Sequence, residues 1–232
     1  MCTVMGTLAA MTSDVFEGCL ARTQTRGPDA QRVMSLTDGG FLGFQRLAIM
    51  GPDKNGMQPF HAGSCAVVCN GELYGFRAQK RALQQKGYSF HSGSDCEILL
   101  PLYREYGLGM FARLDAEFAC VLYDGNTHSL IAARDPIGIR PLFYGYWQGQ
   151  IVFASEAKNL VGLVDEVRPF PPGHYYADGV FTPYCDITAA RPHLADGEEE
   201  ACCAIRKKLT AAVEKRLDAD APLGFLLSGG LD

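Results

Sequence analysis

Long apolar runs are missing from this chain of 232 residues: none approaches the ~18 consecutive apolar residues that a membrane-spanning helix needs. Positive charge is also scarce, with 21 Lys and Arg against 26 Asp and Glu and a formal net charge of −5. That balance excludes a basic surface for nucleic acid or for an anionic membrane. The opening MCTVMGTLAAM lacks the basic residues and the cleavage site of a secretory signal, so a cytoplasmic location is expected. No CxxC pair occurs and no histidine stands at zinc-ligand spacing, so no metal site is expected. The nine cysteines are odd in number and mostly lie inside apolar stretches such as SCAVVC and EFACVLY. Buried free thiols behave as small hydrophobes, and eight of the nine are read that way. Cys2 is set apart by its position. No internal repeat is evident.

What is present describes a folded protein. Hydrophobic residues make up 47% and charged residues 20%, ordinary values for a globular chain. The length allows one large domain, or one domain and a fragment of a second. Residues 2–8 read as a strand, and residues 13–22 as a helix with Ser13 as N-cap and Val15, Phe16, Cys19 and Leu20 on its buried face. QRVMSL and FLGFQRLAIM form a hairpin around the turn 37–40, and SCAVVCNGELYG is a strand running into a turn. FRAQKRALQQKG is a helix closed by Gly87. In HSGSDCEILLPLYREYG, Ser94 and Glu97 have the spacing of a capping box, and Pro101 predicts a kink or a later helix start. From 117 to 183 short strands alternate with turn signals, among them Gly125-Asn126, Gln148-Gly149 and Asp178-Gly179. Many strands with three or four helices, rarely alternating one for one, predict antiparallel sheets under helical layers.

A boundary is expected near 184–197, which is polar, contains Pro192 and has no periodicity. Beyond it Asp196 is placed to cap a helix with Glu198, Glu199 and Glu200 in its first turn and Ile205, Leu209, Val213 and Leu217 recurring every fourth residue. PLGFLL then reads as a short buried strand ahead of SGGLD.

The candidate chemistry begins at Cys2. With Met1 removed, one residue carries both a thiol, of pKa ~8.5, and a free α-amine titrating at ~7.7–8. The amine can then serve as base for the adjoining nucleophile, directly or through a water. Asn70 and Gly71 offer a side-chain amide and a backbone N–H at a tight turn, suitable as oxyanion donors, although an ordinary Asn-Gly turn has the same sequence. Arg46 ends an apolar strand, where it can grip a carboxylate bidentately or form a rim salt bridge. Asp95, at a helix start, can bind an ammonium group or complement the helix dipole.

Five motifs occur in order: MC at the start, RGPD at 26–29, NGELY at 70–74, GSDCE at 93–97 and SGGLD at the end. With ARDPIGIRPLFYG, VFASEAKNL and FPPGHYY they resemble, through essentially the whole chain, the glutamine-hydrolysing, ammonia-channelling asparagine synthetases, most closely the bacterial B group. The resemblance implies catalytic roles for Cys2, Asn70 and Gly71. It further implies glutamine contacts from Arg46, Leu47, Ala48, Ile49, Met50, Asn70, Gly71, Glu72 and Asp95, with Arg26 and Asp29 bracing the site. SGGLD resembles a pyrophosphatase loop, giving Leu226, Ser228, Gly229, Gly230 and Asp232 a part in ATP binding; it is not a Walker loop, since no GK[ST] follows. Two departures adjoin the site: Thr3 where many relatives have Gly, and Thr25 where His is frequent.

The implied fold is α+β, a four-layer αββα sandwich of the N-terminal-nucleophile type. Its expected divisions are a glutaminase domain over 2–184, a linker over 185–196, and over 197–232 the first helix and strand of an ATP-pyrophosphatase domain. The expected activity is hydrolysis of glutamine through a Cys2 thioester, feeding ammonia to ATP-dependent amidation of aspartate in a longer enzyme. The glutaminase part needs no cofactor, while ATP and Mg belong to the synthetase part; pairing into a homodimer stays open. The rivals are an amidotransferase for another carboxylate or a β-lactam, and a non-catalytic glutamine-binding module if Met1 is retained.

Overall fold

The computed structural model describes residues 1–189, 197–226 and 229–230. Two six-stranded antiparallel sheets form its centre. Along the chain come β1 (Thr3–Thr7), α1 (Ser13–Ala21), β2 (Ala30–Ser35), β3 (Phe41–Arg46), β4 (Phe60–Ala62), β5 (Cys65–Leu73), α2 (Phe76–Gln85) and α3 (Leu99–Tyr106). There follow β6 (Ala116–Asp124), β7 (Ser129–Arg134), β8 (Phe143–Trp147), β9 (Gln150–Ala154), α4 (Ala157–Leu160), β10 (Arg168–Pro169), β11 (His174–Ala177), β12 (Val180–Pro183) and α5 (Glu198–Lys215). The first sheet has the order β10-β8-β9-β1-β3-β2 and the second β12-β11-β7-β6-β5-β4.

The central strands are apolar at successive positions because both of their faces are buried. In β1, Val4 packs into the layer between the sheets and Met5 into the layer beneath α1 and α4. In β5, Val68 faces the sheet interface while Val67 and Cys69 face α2 and α3. Three apolar layers therefore separate four structural layers, with α1 and α4 outside one sheet and α2 and α3 outside the other. This is the expected αββα arrangement.

Several local expectations change. Thr12, not Ser13, caps α1, accepting from the Val15 N–H, while Ser13 bonds Glu17 and Val15 is exposed. Ser94 and Glu97 form no capping box. The Glu97 carboxylate instead accepts the N–H groups of His91 and Ser92, where two donors from the preceding loop are closer than its own helix end. A 3-10 turn over Cys96–Ile98 precedes α3, so Pro101 falls in the first turn of the helix, where its missing N–H costs nothing. Gly197 is the N-cap of α5, while Asp196 lies outside the described residues. Residues 222–226 of PLGFLL form no strand: Phe225 is 74% exposed, and no neighbouring strand is paired with them among the described residues. Ile205, Leu209 and Val213 of α5, and Leu217 just beyond its end, are likewise exposed. No helix among the described residues is long and apolar enough to cross a membrane.

Candidate active site

One edge of β5 organises the site. Alternate residues of a strand present their N–H groups to the same edge, so Cys69, Gly71 and Leu73 act together. The Gln58 side chain occupies the first position, accepting the Cys69 N–H at 2.6 Å and donating from Nε2 to the Cys69 carbonyl at 3.0 Å. Asp95 occupies the third, its Oδ2 accepting the Leu73 N–H at 2.7 Å. Gly71 lies between them, opposite Phe118 of β6, whose own N–H and carbonyl are engaged by Asp135. The Gly71 N–H is thereby turned away from β6 and into the pocket. A side chain here has no room: a Cβ would sit 2.7 Å from the Cβ of Phe118 and 2.8 Å from the Glu117 carbonyl oxygen. The expected tight turn at Asn70-Gly71 is thus absent, because both residues pair with β6 inside β5. Asn70 is 2% exposed, and its Nδ2 is buried without a hydrogen-bond partner. An unpaired buried donor costs about 1–3 kcal/mol, a cost that an arriving acceptor would remove.

Cys2 immediately precedes β1, which pairs Thr3 with Gln45 of β3. That register brings its Sγ to 3.4 Å from the Leu47 N–H and 3.5 Å from the Leu47 carbonyl. Burial pushes the Cys2 thiol up, and the Leu47 backbone partly opposes it. Burial likewise lowers the α-amine, which here belongs to Met1 and donates to the Arg26 carbonyl at 3.2 Å. Both shifts favour the uncharged pair, a thiol beside a neutral amine.

RGPD braces these parts. Arg26 donates from Nε to the Cys2 carbonyl at 2.9 Å and pairs with Glu156 at 2.8 Å. Asp29 accepts the Ala48 N–H at 2.7 Å, and its own N–H reaches the Arg46 carbonyl at 3.0 Å. In VFASEAKNL, Ser155 bonds β1 at Val4 through its hydroxyl and its N–H. Asn159 ties the end of α1 down through the Cys19 carbonyl and Thr23.

Arg46, only 7% exposed, is oriented by the carbonyls of Gly51 and of Asp53, the latter at 2.7 Å. Its side chain also lines the pocket. Asp95 is 4% exposed and burial raises its carboxyl. Gly51 joins the two: its carbonyl holds Arg46, and its Cα packs so tightly on Gly93-Ser94 that a Cβ would lie 2.7 Å from the Ser94 nitrogen. At a φ of +56° this position favours glycine twice over.

Cys2, Arg46, Leu47, Ile49, Met50, Asn70, Gly71, Glu72 and Asp95 therefore line one pocket. Ala48 does not, since its N–H turns to Asp29. Of the terminal loop, Leu226 is fully exposed and Gly229 and Gly230 are not in the pocket wall, while Ser228 and Asp232 lie outside the described residues. No cluster among the described residues has the makings of a metal site. The pocket wall also contains residues not singled out from sequence, notably Gln58 and Arg140. Arg140 pairs with Glu117 at 2.6 Å and keeps a buried Nε without a partner. Its position inside ARDPIGIRP was the available signal. Gln58 had none, because its role exists only once β5 is placed beside it.

Comparison with known proteins bears on the family and the fold. A family model described as glutamine amidotransferase domain matches residues 1–177, and one described as asparagine synthase matches 204–232. A probable glutamine-hydrolysing asparagine synthetase from Acanthamoeba polyphaga mimivirus is 39% identical over 92% of this chain and 44% of its own length. An amidase, chyE, from Penicillium rubens is 37% identical over 94% of this chain and 37% of its own. The chain thus spans less than half the length of these relatives. A glutamine phosphoribosylpyrophosphate amidotransferase from B. subtilis shares the fold, with a TM-score of 0.67 at 19% identity over 79% of this chain and 49% of its own. With the match covering most of its length, the chain belongs to the class II glutamine amidotransferase domain family, and several of its curated relatives are named glutamine-hydrolysing asparagine synthetases.

Proposed function

We propose that this domain hydrolyses glutamine to glutamate and ammonia through a thioester on Cys2. The observation that carries the reading is the buried Asn70 Nδ2, left without a partner in the same pocket as Cys2 and beside the inward Gly71 N–H. Arg46 holds the α-carboxylate of glutamine and Asp95 its α-ammonium, with Leu47, Ile49, Met50 and Glu72 shaping the wall; Ala48 acts through the loop it anchors. After Met1 is removed, the Cys2 amine takes the thiol proton as Sγ attacks the side-chain carboxamide carbon. The Asn70 Nδ2 and Gly71 N–H groups stabilise the resulting oxyanion, where loss of one such donor costs ~10²–10³ in rate. As the C–N bond breaks, the amine returns its proton to the leaving nitrogen and ammonia departs. Water then attacks the thioester, the thiol regains a proton, and glutamate leaves.

In this reading residues 2–184 form the glutaminase domain, 185–196 a linker, and 197–232 the start of a synthetase domain. The longer protein passes the ammonia to aspartate activated by ATP and Mg, making asparagine. Leu226, Ser228, Gly229, Gly230 and Asp232 contribute to the ATP loop there. A second reading, in which another carboxylate accepts the ammonia, stands beside it, since the Penicillium relative is named an amidase and not an asparagine synthetase. Either way the process is a cytoplasmic one, and the glutaminase step needs neither ATP nor metal. The test is ammonia release from purified chain lacking Met1, with and without ATP and aspartate. Equal amounts of glutamate and ammonia, unaffected by ATP and with no asparagine, are expected. Asparagine formation by this chain, or no hydrolysis by a folded sample, would overturn the reading.

A further inference from the structure

The segment that follows α5 reaches back to the pocket loop and bonds two of its residues, Ile49 and Gly51, while α2 contacts Met50 between them. The Ala221 N–H donates to the Ile49 carbonyl at 3.1 Å. Arg77 of α2 approaches the Met50 sulfur at 3.7 Å, and the Asp220 carboxylate accepts the Gly51 N–H at 2.8 Å. Arg77 fastens the segment itself, bonding Asp218 and lying 3.7 Å from Asp220. Further back, Lys215 and Arg216 lie over the Tyr74 ring at 5.6 and 5.1 Å. The contact at Gly51 matters most, because the opposite side of this residue carries the carbonyl that orients Arg46. A continuous chain of bonds runs from the Asp220 carboxylate through Gly51 to the guanidinium.

We propose that Asp220 is a positioning residue for glutamine, fixing the 47–51 loop so that Arg46 meets the substrate α-carboxylate in a preset orientation. The proposal rests on reading the pocket as a glutamine site. Asp220 touches no reacting atom, so its influence falls on binding and not on the chemical step. It also lies within the part of the chain that matches the asparagine synthase family. Substrate grip in one part is therefore held by residues of the other. An ordinary surface tether would secure the segment without passing through a substrate ligand, and its removal would lower stability alone.

The experiment compares Asp220→Ala, Asp220→Asn and Arg46→Ala in the chain lacking only Met1, measuring kcat and KM for glutamine and the thermal midpoint. A charge-assisted hydrogen bond is lost in Asp220→Ala, so KM rises about tenfold while kcat stays within about twofold. Asp220→Asn keeps an oxygen acceptor for the Gly51 N–H and recovers most of the KM, even where the alanine variant folds less well. If Arg46→Ala raises KM but both Asp220 variants keep the wild-type value, the positioning role is overturned and the glutamine site stands. If Arg46→Ala also leaves KM unchanged, the reading of the pocket fails and takes this proposal with it.

Discussion

The Nε of Arg26 donates to the carbonyl oxygen of Cys2 at 2.9 Å, and the Arg26 carbonyl accepts from the α-amine ahead of it at 3.2 Å. Arg26 thus holds the Cys2 carbonyl directly, while Glu156 holds the guanidinium in place. Misplacing a reacting group by ~1 Å costs about a hundredfold in rate. Arg26→Ala is expected to lower kcat for glutamine by ten- to a hundredfold, on the order of that effect. Arg26→Lys should recover little, since a lysine cannot reproduce the two-directional fork. Steady-state kinetics of both variants check this, and a kcat within twofold of wild type would contradict it.

Asn70→Ala separates an oxyanion donor from a structural amide. A donor used only in the transition state lowers kcat by ~10²–10³ and leaves KM within about threefold. Measured kcat and KM decide it; a large rise in KM with kcat preserved would place Asn70 in ground-state binding instead.

The clamp has an electrostatic signature. Removing one partner of a buried charged hydrogen bond costs roughly 2–5 kcal/mol, so Arg46→Ala and Asp95→Ala should each lower kcat/KM at least tens-fold. Burial raises the Asp95 carboxyl above its ordinary value, so its ionised form is disfavoured in the folded protein. Its contribution to stability is fully present below the unfolded carboxylate value, about pH 4, and is lost as pH rises through the raised folded value. Asp95→Asn should therefore raise the thermal midpoint at neutral pH while abolishing activity, and the stability gain should vanish in acid. A variant less stable than wild type at neutral pH would refute the assignment of burial as the dominant influence.

Three apolar residues of α5 and one just past its end recur at four-residue spacing and all are exposed: Ile205 at 66%, Leu209 at 63%, Val213 at 50% and Leu217 at 44%. A stripe of this kind is suited to packing against further protein. Leu209→Lys is expected to improve solubility and reduce binding of a hydrophobic dye, without changing kcat/KM for glutamine. A loss of glutaminase activity would show instead that this face supports the pocket.

Much of this was legible in the sequence. The runs CAVVC and FACVLY are apolar at every position because each strand is covered on both faces, so strand existence was readable but layering was not. Cys2, Arg46 and Asp95 announced themselves as charged or nucleophilic groups in recognisable motifs. The turn assigned to Asn70-Gly71 was mistaken because Asn-Gly has strong local turn chemistry, whereas pairing along β6 from Cys65 to Leu73 overrides it. Gln58 and Asp220 stayed hidden for a different reason. Each acts through a contact with a backbone group or side chain distant in sequence, and no local pattern encodes such a contact.

Cys2 remains the centre of the account. The most direct test is peptide mapping of the chain lacking Met1 after reaction with a diazoketone analogue of glutamine, alongside the activity of Cys2→Ala. Modification of Cys2 alone among the nine cysteines, prevented by excess glutamine, with an inactive alanine variant, is the predicted result. Modification spread over several cysteines, or a Cys2→Ala chain that still releases ammonia from glutamine, would contradict it.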